Sequence, residues 1–400
     1  MPGPLDDLRI VELSAFVAAP LGGLALAQLG ADVIRIDPIG GNIDFRRWPL
    51  DQHGVSLYWA GLNKSKRSIA LALDTAEGRS IAQALITAPG AGGGILLTNL
   101  PSSDWCSYAT LSATRPDLIS LRLTGNHDGS TAVDYTVNCA SGFPLITGTG
   151  VGPVNHVLPA WDVAAGLYMA TGLLAAENHR LRTGRGQEIR IALSDVMLAT
   201  VGNLGLLSDF ELNQTLREPL GNALYGAFGA DFPTADGRRV MIVALTPRQW
   251  RSIVEATGLS AQLNSIGEAA GLDLNLEGER FRAHQAICNT LAPWVAERTL
   301  DQLREAFDQH RVMWGPYQDI SQLMSEDPRC SVQNPLFQRI DQPGVGTHLM
   351  PGSPLFFGAF PRAAVRPAPL LGQHTDEVLR DIVGCSDTEI RRLRGAKIVA

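Results

Sequence analysis

The 400-residue sequence lacks several patterns that would assign it to a common class of protein. Its five cysteines, Cys106, Cys139, Cys288, Cys330 and Cys385, form no Cys-x-x-Cys pair, and its eight histidines show no His-x-x-x-His spacing. These absences argue against a disulfide framework and leave a catalytic metal without a recognisable ligand set. The net charge of −7 provides no basic surface of the kind that nucleic-acid binding needs. We therefore expect reduced thiols, no metal and no nucleic-acid partner.

Long apolar runs are also absent from the sequence. No stretch of about 18 uncharged apolar residues occurs, which argues against a membrane span. The opening Met-Pro-Gly-Pro-Leu-Asp-Asp has neither the basic region nor the apolar centre of a signal peptide. Hydrophobic residues make up 45% of the chain and charged residues 18%, as in an ordinary globular protein. The sequence predicts a soluble cytoplasmic protein that has no membrane partner.

Strand and helix patterns alternate through the first half of the chain. Short β-branched runs at 8–13, 31–37, 94–99, 117–124 and 187–193 predict strands, and helix-length segments separate them. This alternation predicts an α/β fold with a Rossmann-like parallel sheet. The length of 400 residues indicates two domains.

The second half changes character near residue 225. Asp236-Gly237 is a hairpin signal between two strand-like runs, and charged helices are expected over 249–257 and 279–307. A Pro- and Gly-rich arm follows, and then a final helix over 375–383. We predict a large α/β domain in 1–200, a linker in 201–224 and a small α+β domain in 225–325, after which 326–400 returns to the large domain.

Three sequence motifs of common enzymes do not fit this chain. The first strand–helix turn, Ser14-Ala-Phe-Val-Ala-Ala-Pro20, contains no glycine, so a dinucleotide pyrophosphate could not approach its backbone. The glycine runs at 92–94 and 148–152 lack the lysine of a phosphate-binding loop. No Gly-x-Ser-x-Gly motif of serine hydrolases occurs. The sequence therefore predicts no nicotinamide, flavin or other tightly bound cofactor.

An acidic residue, Asp162, stands at the start of the most apolar helical segment, which continues to Ala176. A helix that is apolar on nearly every face is expected to be buried on all sides. Asp162 could cap this helix by accepting from the free amides that follow it. The second interpretation is a carboxylate nucleophile that those amides and the helix dipole keep ionised. The local sequence leaves both interpretations open.

Two polar loops could contact a ligand. The segment Asn63-Lys-Ser-Lys-Arg67, together with Arg46 and Arg47, could hold phosphates, although a solvated basic loop has the same composition. Asn126 and His127 follow a predicted sheet strand, where α/β proteins often place ligands. His127 could also be an ordinary turn residue.

These pieces together resemble the family III CoA-transferases. The motifs that carry the resemblance occur in family order along the whole chain: 15–20 before the first helix, Leu29-Gly-Ala-Asp-Val-Ile-Arg-Ile36, Asn63-Lys-Ser-Lys-Arg-Ser-Ile69, Asn99-Leu-Pro101, the aspartate before an apolar helix, Arg182-Thr-Gly-Arg-Gly-Gln187 and 369–379. The resemblance implies an α/β large domain built from both chain ends, a smaller domain, and two chains that form an interlocked homodimer. It also implies an acyl-CoA substrate, in which coenzyme A is part of the substrate.

Further stretches resemble a branch of this family that moves CoA within one molecule. They are 14–23, 133–138, 155–162, 224–229 and 349–355. The activity implied is CoA transfer between the C1 and C4 carboxyls of mesaconyl-CoA, through an aspartyl anhydride and a β-aspartyl-CoA. An intermolecular CoA-transferase is the alternative, and a binding protein that has lost chemistry is a third possibility. A racemase ranks behind the two transferases, because Val133 occupies the position of the racemase base.

The resemblance also implies roles for individual residues. Asp162 falls on the family's catalytic aspartate. Because Pro38 and Asp74 stand where relatives often carry phosphate-contacting cations, Arg46, Arg47 or Lys66 are the candidate phosphate contacts. The other candidate CoA-binding residues are Phe16, Val17, Leu71, Ala72, Leu73, Asn99 and Leu100. The candidate substrate-pocket residues are Asn126, His127, Asp134, His156, Trp161 and Tyr225, of which Asn126, His127 or His156 could hold the free carboxylate.

Overall fold

The computed structural model describes residues 3–400, so the first two residues of the predicted 1–200 domain lie outside the described part. The chain divides into two compact units. The first contains the residues up to Ser141 together with His156–Gln214 and Pro328–Ala400, and the second contains Gly142–Asn155 and Thr215–Asp327. The exact boundaries predicted at 200, 224 and 325 stay predictions.

A six-stranded parallel sheet forms the centre of the first unit. Its strands are β1 (Arg9–Leu13), β2 (Asp32–Pro38), β3 (Arg67–Leu71), β4 (Ile95–Thr98), β5 (Ile119–Thr124) and β6 (Gln187–Ala192). They lie in the order β3-β2-β1-β4-β5-β6, and every neighbouring pair is parallel. Because parallel strands need crossover connections, helices lie between them in sequence and cover the sheet. The predicted α/β parallel-sheet class is confirmed.

The helices of the first unit differ in how they begin and end. They are α1 (Ala18–Ala27), α2 (Leu57–Asn63), α3 (Ala76–Thr87), α4 (Tyr108–Thr114), α5 (Asp134–Cys139), α7 (Ala160–Thr183), α8 (Leu193–Asn203) and α9 (Leu206–Asn213), while α6 (Phe143–Ile146) belongs to the second unit. Side-chain caps start α2 and α3, where Ser56 and Thr75 accept from backbone amides. Helix α9 lies inside the segment that was predicted as a linker.

Helix α7 packs closely against α1 through small residues. A Cβ atom on Gly166 would stand 2.6 Å from the carbonyl oxygen of Ala18, so only glycine allows this approach. The expectation that α7 is buried on all sides is wrong for the single chain, because Leu167 and Tyr168 are each 53% exposed. The short distance between the helices fixes the N-terminal end of α7 relative to the turn that precedes α1.

The C-terminal segment completes the first unit. Two antiparallel strands, β10 (Phe337–Gln342) and β11 (Gly346–Pro351), precede an irregular arm. The predicted final helix over 375–383 is α16 (Thr375–Val378) followed by one wide turn (Leu379–Val383). It is not the last helix, because Ser386 caps a further one, α17 (Asp387–Gly395). The backbone of Ile398–Ala400 then forms hydrogen bonds with the backbone at the end of β3. Residues from the N-terminal and C-terminal parts of the chain therefore form one hydrophobic core.

The second unit has its own antiparallel sheet and core. Strands β7 (Phe228–Pro233), β8 (Arg239–Ala244) and β9 (Met313–Pro316) form the sheet, and the Asp236-Gly237 hairpin joins the first two as predicted. Its helices after β8 are α10 (Pro247–Thr257), α11 (Ser260–Ala270), α12 (Glu277–Arg282), α13 (His284–Ala296), α14 (Leu300–His310) and α15 (Ile320–Glu326). The single helix predicted over 279–307 is wrong, since Thr299 begins α14 with a capping box to Gln302.

Candidate active site

A cavity of about 640 Å³ lies at the carboxyl ends of the central strands. This edge of a parallel sheet is where open α/β folds bind ligands. The cavity is lined by the residues that follow β1, β4 and β5 and by the start of α7. These lining residues include Phe16, Arg47, Asn99, Leu100, Arg122, Asp134, Tyr135 and Asp162. Six of the residues predicted for the site therefore meet in one cavity: Phe16, Arg47, Asn99, Leu100, Asp134 and Asp162.

Asp162 lies in the first turn of α7, but it does not cap the helix. The N-cap position is Pro159, which has no side-chain cap. Instead, Oδ2 of Asp134 accepts hydrogen bonds from the backbone amides of Trp161, at 2.8 Å, and of Asp162, at 3.0 Å. The interpretation of Asp162 as a cap is therefore wrong. The carboxylate of Asp134, at the start of α5, accepts from the free amides of the helix instead, and the Asp162 side chain faces the cavity.

The surroundings of Asp162 make its ionisation less favourable than that of an ordinary aspartate. Burial raises the pKa of the Asp162 carboxyl to about 6, the negative charge of Asp134 adds to this rise, and Arg47 opposes it. The expectation that free helix amides hold this carboxylate ionised is wrong, because Asp134 already occupies two of them. A carboxylate with a raised pKa is a stronger nucleophile when it is ionised, and it is still ionised at pH 7.

Arg47 lies between two aromatic rings in this cavity. Its guanidinium carbon is 5.1 Å from the centre of the Phe16 ring and 4.9 Å from that of Tyr58. Cation–π contacts of this kind hold a guanidinium by its faces. Within residues 3–400 the Arg47 side chain pairs with no carboxylate. Arg46, the neighbouring predicted phosphate contact, is exposed and does not line the cavity.

Two side chains hold the glycine-free turn between β1 and α1 in place. Asn99 accepts from the amide of Ala15 and donates to its carbonyl, at 2.9 and 2.7 Å. Asp44 accepts from the amide of Phe16, at 3.1 Å. These bonds stabilise Phe16 in a left-handed backbone conformation, with φ of +64°, which non-glycine residues rarely adopt. The turn therefore presents the Phe16 ring to the cavity.

A fully buried charge cluster supports this turn from below. Arg35 forms ion pairs with Glu12, Asp37 and Asp44. Lys66 donates to Glu12, Asn63 and the carbonyl of Pro20, and its side chain is completely buried. Burial lowers the pKa of Lys66 to about 8, although Glu12 opposes the shift. Because three protein acceptors surround the Lys66 ammonium, its predicted role as a phosphate contact finds no support in this placement.

The remaining predicted CoA-binding residues lie near the same sheet edge without lining the cavity. Val17 is buried at the start of α1, and Leu71 is buried at the end of β3. The amide of Ala72 donates to Ile398, and the carbonyl of Leu73 accepts from Arg79. Their CoA contacts stay a prediction.

The other predicted pocket residues are spread over several places. Asn126 donates to Ser130 in the loop after β5, and His127 is exposed there. Trp161 is buried and donates to Asn138. Both ring nitrogens of His156 are inaccessible and have no hydrogen-bond partner among residues 3–400. Tyr225 belongs to the second unit, where it packs against Phe281 and Arg217.

Several residues in or beside the cavity were given no role in the sequence analysis, and one of them, Tyr58, contacts the lining residue Arg47 without lining the cavity itself. Tyr58 stacks on Arg47, and burial raises its pKa. Arg122 donates to the carbonyls of Leu100 and Cys106 and thereby shapes the wall after β4. The segment 129–132 forms part of the lining. Only the proximity of these segments to strand ends could have indicated them, since none carries a motif of its own.

The described residues contain no cluster of three or more His, Cys, Asp or Glu side chains that could hold a metal ion. Within the same residues, no helix is long and apolar enough to cross a membrane. The five cysteines, all in the described part, are free thiols. Among the residues that line the cavity are two carboxylates, two guanidinium groups and aromatic side chains.

A parallel sheet with a carboxylate at its ligand-binding edge can support nucleophilic catalysis by that carboxylate. The profile of CoA-transferase family III matches residues 5–375, and the chain belongs to this family. A curated relative, 2-methylfumaryl-CoA isomerase of Chloroflexus aurantiacus, is 52% identical and covers 100% of this chain and 98% of its own. The predicted family membership is confirmed.

Two further comparisons extend this similarity. The succinyl-CoA–D-citramalate CoA-transferase of Chloroflexus aurantiacus is 27% identical over 100% of this chain and 98% of its own. The crystal structure of a CAIB/BAIF family protein from Brucella suis matches with a TM-score of 0.78 and 23% identity, covering 94% of this chain and 99% of that one. The structural match establishes the fold, and the sequence matches span both compact units.

Proposed function

We propose that this enzyme moves CoA between the C1 and C4 carboxyls of mesaconate, which is 2-methylfumarate. The observation that carries the proposal is the 52% identity, over the whole chain, to a 2-methylfumaryl-CoA isomerase. The Asp162 carboxylate, which lines the cavity and forms no ion pair within residues 3–400, supports it, because a carboxylate nucleophile keeps the acyl group activated during transfer.

The first half of the reaction transfers CoA to the enzyme. The ionised Asp162 carboxylate attacks the C1 carbonyl of mesaconyl-C1-CoA, the C–S bond breaks, and a mixed anhydride and CoA thiolate form. The thiolate then attacks the aspartyl carbonyl of the anhydride. This step releases mesaconate as a carboxylate and leaves a β-aspartyl-CoA thioester on Asp162. No proton is gained or lost.

The second half runs the same steps in reverse on the other end of mesaconate. The C4 carboxylate attacks the β-aspartyl thioester, which expels the thiolate and forms a new anhydride. The thiolate attacks the C4 carbonyl, giving mesaconyl-C4-CoA and regenerating the Asp162 carboxylate. Free mesaconate must turn over inside the cavity before water reaches the thioester, so a closed site protects the intermediates.

Each tetrahedral intermediate needs hydrogen-bond donors for its oxyanion. The amides of Trp161 and Asp162 are unsuitable, because both already donate to Asp134. Within residues 3–400, the amides of Thr131 and Ala132 donate to no protein acceptor, and both residues line the cavity. We assign the oxyanion to this segment. Phe16, Val17, Asn99, Leu100 and the 71–73 backbone remain our candidates for CoA binding.

We further propose an interlocked homodimer in the cytoplasm. Helices α7, α8 and α9 expose several large apolar side chains, and many exposed apolar side chains on neighbouring helices are typical of a surface that a partner covers. On α8 and α9 and between them, these side chains are between 49% and 80% exposed: Leu198, Leu204, Leu207, Phe210 and Leu212. The second copy would cover this surface. The free thiols fit a reducing compartment.

Conversion of mesaconyl-C1-CoA in the presence of isotopically labelled free mesaconate tests the proposed function. We expect C4-CoA ester without label. Label in the ester would instead establish intermolecular transfer, the activity type of the 27% identical relative. If mesaconyl-C1-CoA is converted neither with nor without free mesaconate, both transferase proposals are rejected for this acyl group.

A further inference from the structure

Arg47 is a cation of the proposed catalytic cavity that forms no close ion pair with a carboxylate of residues 3–400, although its charge lowers the pKa of Asp162. Its guanidinium carbon lies over the rings of Phe16 and Tyr58. A cation–π contact uses none of the N–H donors as hydrogen bonds, so they stay available to a ligand. The other large cation of the lining, Arg122, already donates to two backbone carbonyls. Among the described lining residues, Arg47 is thus the arginine whose guanidinium is not engaged by backbone carbonyls.

The position of Arg47 decides which anionic group of the substrate it could bind, the CoA phosphates or the free carboxylate of the acyl group. Asp162 must touch the thioester carbon, and Arg47 lines the same cavity as Asp162. The phosphates of CoA lie at the opposite end of the pantetheine arm from the thioester. A cation beside the nucleophile is thus badly placed for those phosphates. It is well placed for a carboxylate only a few bonds from the reacting carbonyl.

We propose that Arg47 binds the free carboxylate of the acyl group and so selects thioesters of short dicarboxylic acids. This inference rests on the proposed function and replaces the predicted role of Arg47 as a phosphate contact. A planar guanidinium can bind a carboxylate through two parallel hydrogen bonds. The same contact would keep mesaconate in the cavity after the β-aspartyl-CoA has formed. Phe16 and Tyr58 are positioning residues for the guanidinium.

The test compares two thioesters that differ only at the free end. Tiglyl-CoA has the shape of mesaconyl-C1-CoA, but a methyl group replaces its carboxylate. Formation of the enzyme–CoA adduct is measured for both thioesters by rapid quench and protein mass, at pH 8, where Asp162 is ionised. The variants are Arg47→Gln and Arg47→Lys, and Arg304→Gln, an exposed arginine of the second unit, is the control.

We expect Arg47→Gln to lower the preference for mesaconyl-C1-CoA over tiglyl-CoA by about 30-fold or more, the usual loss when one partner of a desolvated charge pair is removed. Arg47→Lys should recover part of this loss, because it keeps the charge without the planar fork. Equal losses with both thioesters would overturn the proposal, since they would indicate phosphate binding or a structural effect. An unchanged preference would overturn it as well.

A second pair of thioesters keeps this test independent of the mesaconate assignment. If the wild-type enzyme does not convert mesaconyl-C1-CoA, the proposed function fails. Adduct formation from succinyl-CoA and butyryl-CoA then provides the same contrast between a carboxylate and a methyl group. A preference for succinyl-CoA that depends on Arg47 would support the carboxylate site, and a preference independent of Arg47 would reject it.

Discussion

Asp134 and Asp162 are linked through the backbone rather than through their side chains. Oδ2 of Asp134 accepts from the amide of Asp162 at 3.0 Å, as well as from the preceding amide. Asp134 is buried, and its other carboxylate oxygen has no hydrogen-bond partner among residues 3–400. One aspartate thereby fixes the start of α7, and the other is left unpaired beside it. The negative charge of the first raises the pKa of the second.

The first prediction concerns the pH dependence of catalysis. Since the nucleophile must be ionised, wild-type kcat/KM should fall about tenfold per pH unit below a pKa of about 6. Asp134→Asn removes a negative charge but keeps a hydrogen-bond acceptor, so its acidic limb should lie at lower pH. The measurement is kcat/KM between pH 4.5 and 8.

Asp381→Asn is the matched control, because Asp381 is an exposed carboxylate in the C-terminal helical segment. Its acidic limb should coincide with that of the wild type. If Asp134→Asn leaves the limb in place, or moves it to higher pH, the electrostatic link between the two aspartates is absent.

The second prediction concerns stability. The pKa of Asp162 is higher in the folded chain than its ordinary value of 3.8, so ionisation favours the unfolded state. The stability that the protonated form provides is complete below about pH 4 and is lost as pH rises through about 6. Asp162→Asn should therefore raise the free energy of unfolding at pH 8 by about 1–3 kcal/mol.

Denaturant unfolding of the two proteins at pH 8 and pH 4 measures this difference. The gain should shrink to about 0.5 kcal/mol at pH 4, because the wild-type carboxyl is then protonated in the folded state and only partly ionised in the unfolded state. A gain of the same size at both pH values would indicate a packing effect of asparagine instead of a charge effect.

The third prediction concerns the turn that carries Phe16. Asn99→Ala removes both hydrogen bonds to the backbone of Ala15, so the turn should lose its fixed conformation. We expect kcat/KM to fall about tenfold or more for every acyl-CoA, a size typical of one to two buried hydrogen bonds. The acidic limb should not move, because Asn99 carries no charge.

Asn99→Asp provides a graded comparison. It keeps the acceptor for the Ala15 amide and loses the donor to the Ala15 carbonyl, so its loss should differ from that of Asn99→Ala. Wild-type kinetics in Asn99→Ala would show that the left-handed Phe16 conformation does not depend on Asn99.

The fourth prediction concerns the exposed apolar surface on α8 and α9. If a second copy covers it, light scattering should give the mass of a dimer, and Leu207→Lys combined with Phe210→Lys should shift that mass to the monomer. Leu276→Lys changes an exposed leucine of the second unit and is the control. A monomeric wild-type protein would contradict the proposed dimer.

The sequence predicted the sheet well because its strands are short β-branched runs separated by helices. The Asp236-Gly237 hairpin was equally local and was confirmed. The error at 279–307 arose because the capping box of Thr299 interrupts an otherwise helical pattern. Patterns confined to a few residues therefore predicted the strands and the hairpin correctly. A helix end that depends on a single capping residue was not predicted.

The candidate site was only partly predictable. The pairing of Asp134 with the amides of Trp161 and Asp162 spans more than two dozen positions, and local sequence therefore assigned the cap to the wrong aspartate. Lys66 belongs to a basic segment of the kind that can bind phosphates, but the fold buries its ammonium group against the carboxylate of Glu12. Arg47 could be identified as a cation, whereas its neighbours Phe16 and Tyr58 depend on tertiary structure.

The most direct test of the whole account is the identity of the residue that carries the CoA adduct. The enzyme is mixed with mesaconyl-C1-CoA and quenched with hydroxylamine, which converts an acyl anhydride or thioester into a hydroxamate, and the modified peptide is sequenced by mass spectrometry. We predict a substrate-dependent hydroxamate on Asp162 and none in Asp162→Asn. A hydroxamate on a different residue, or full turnover by Asp162→Asn, would contradict the account.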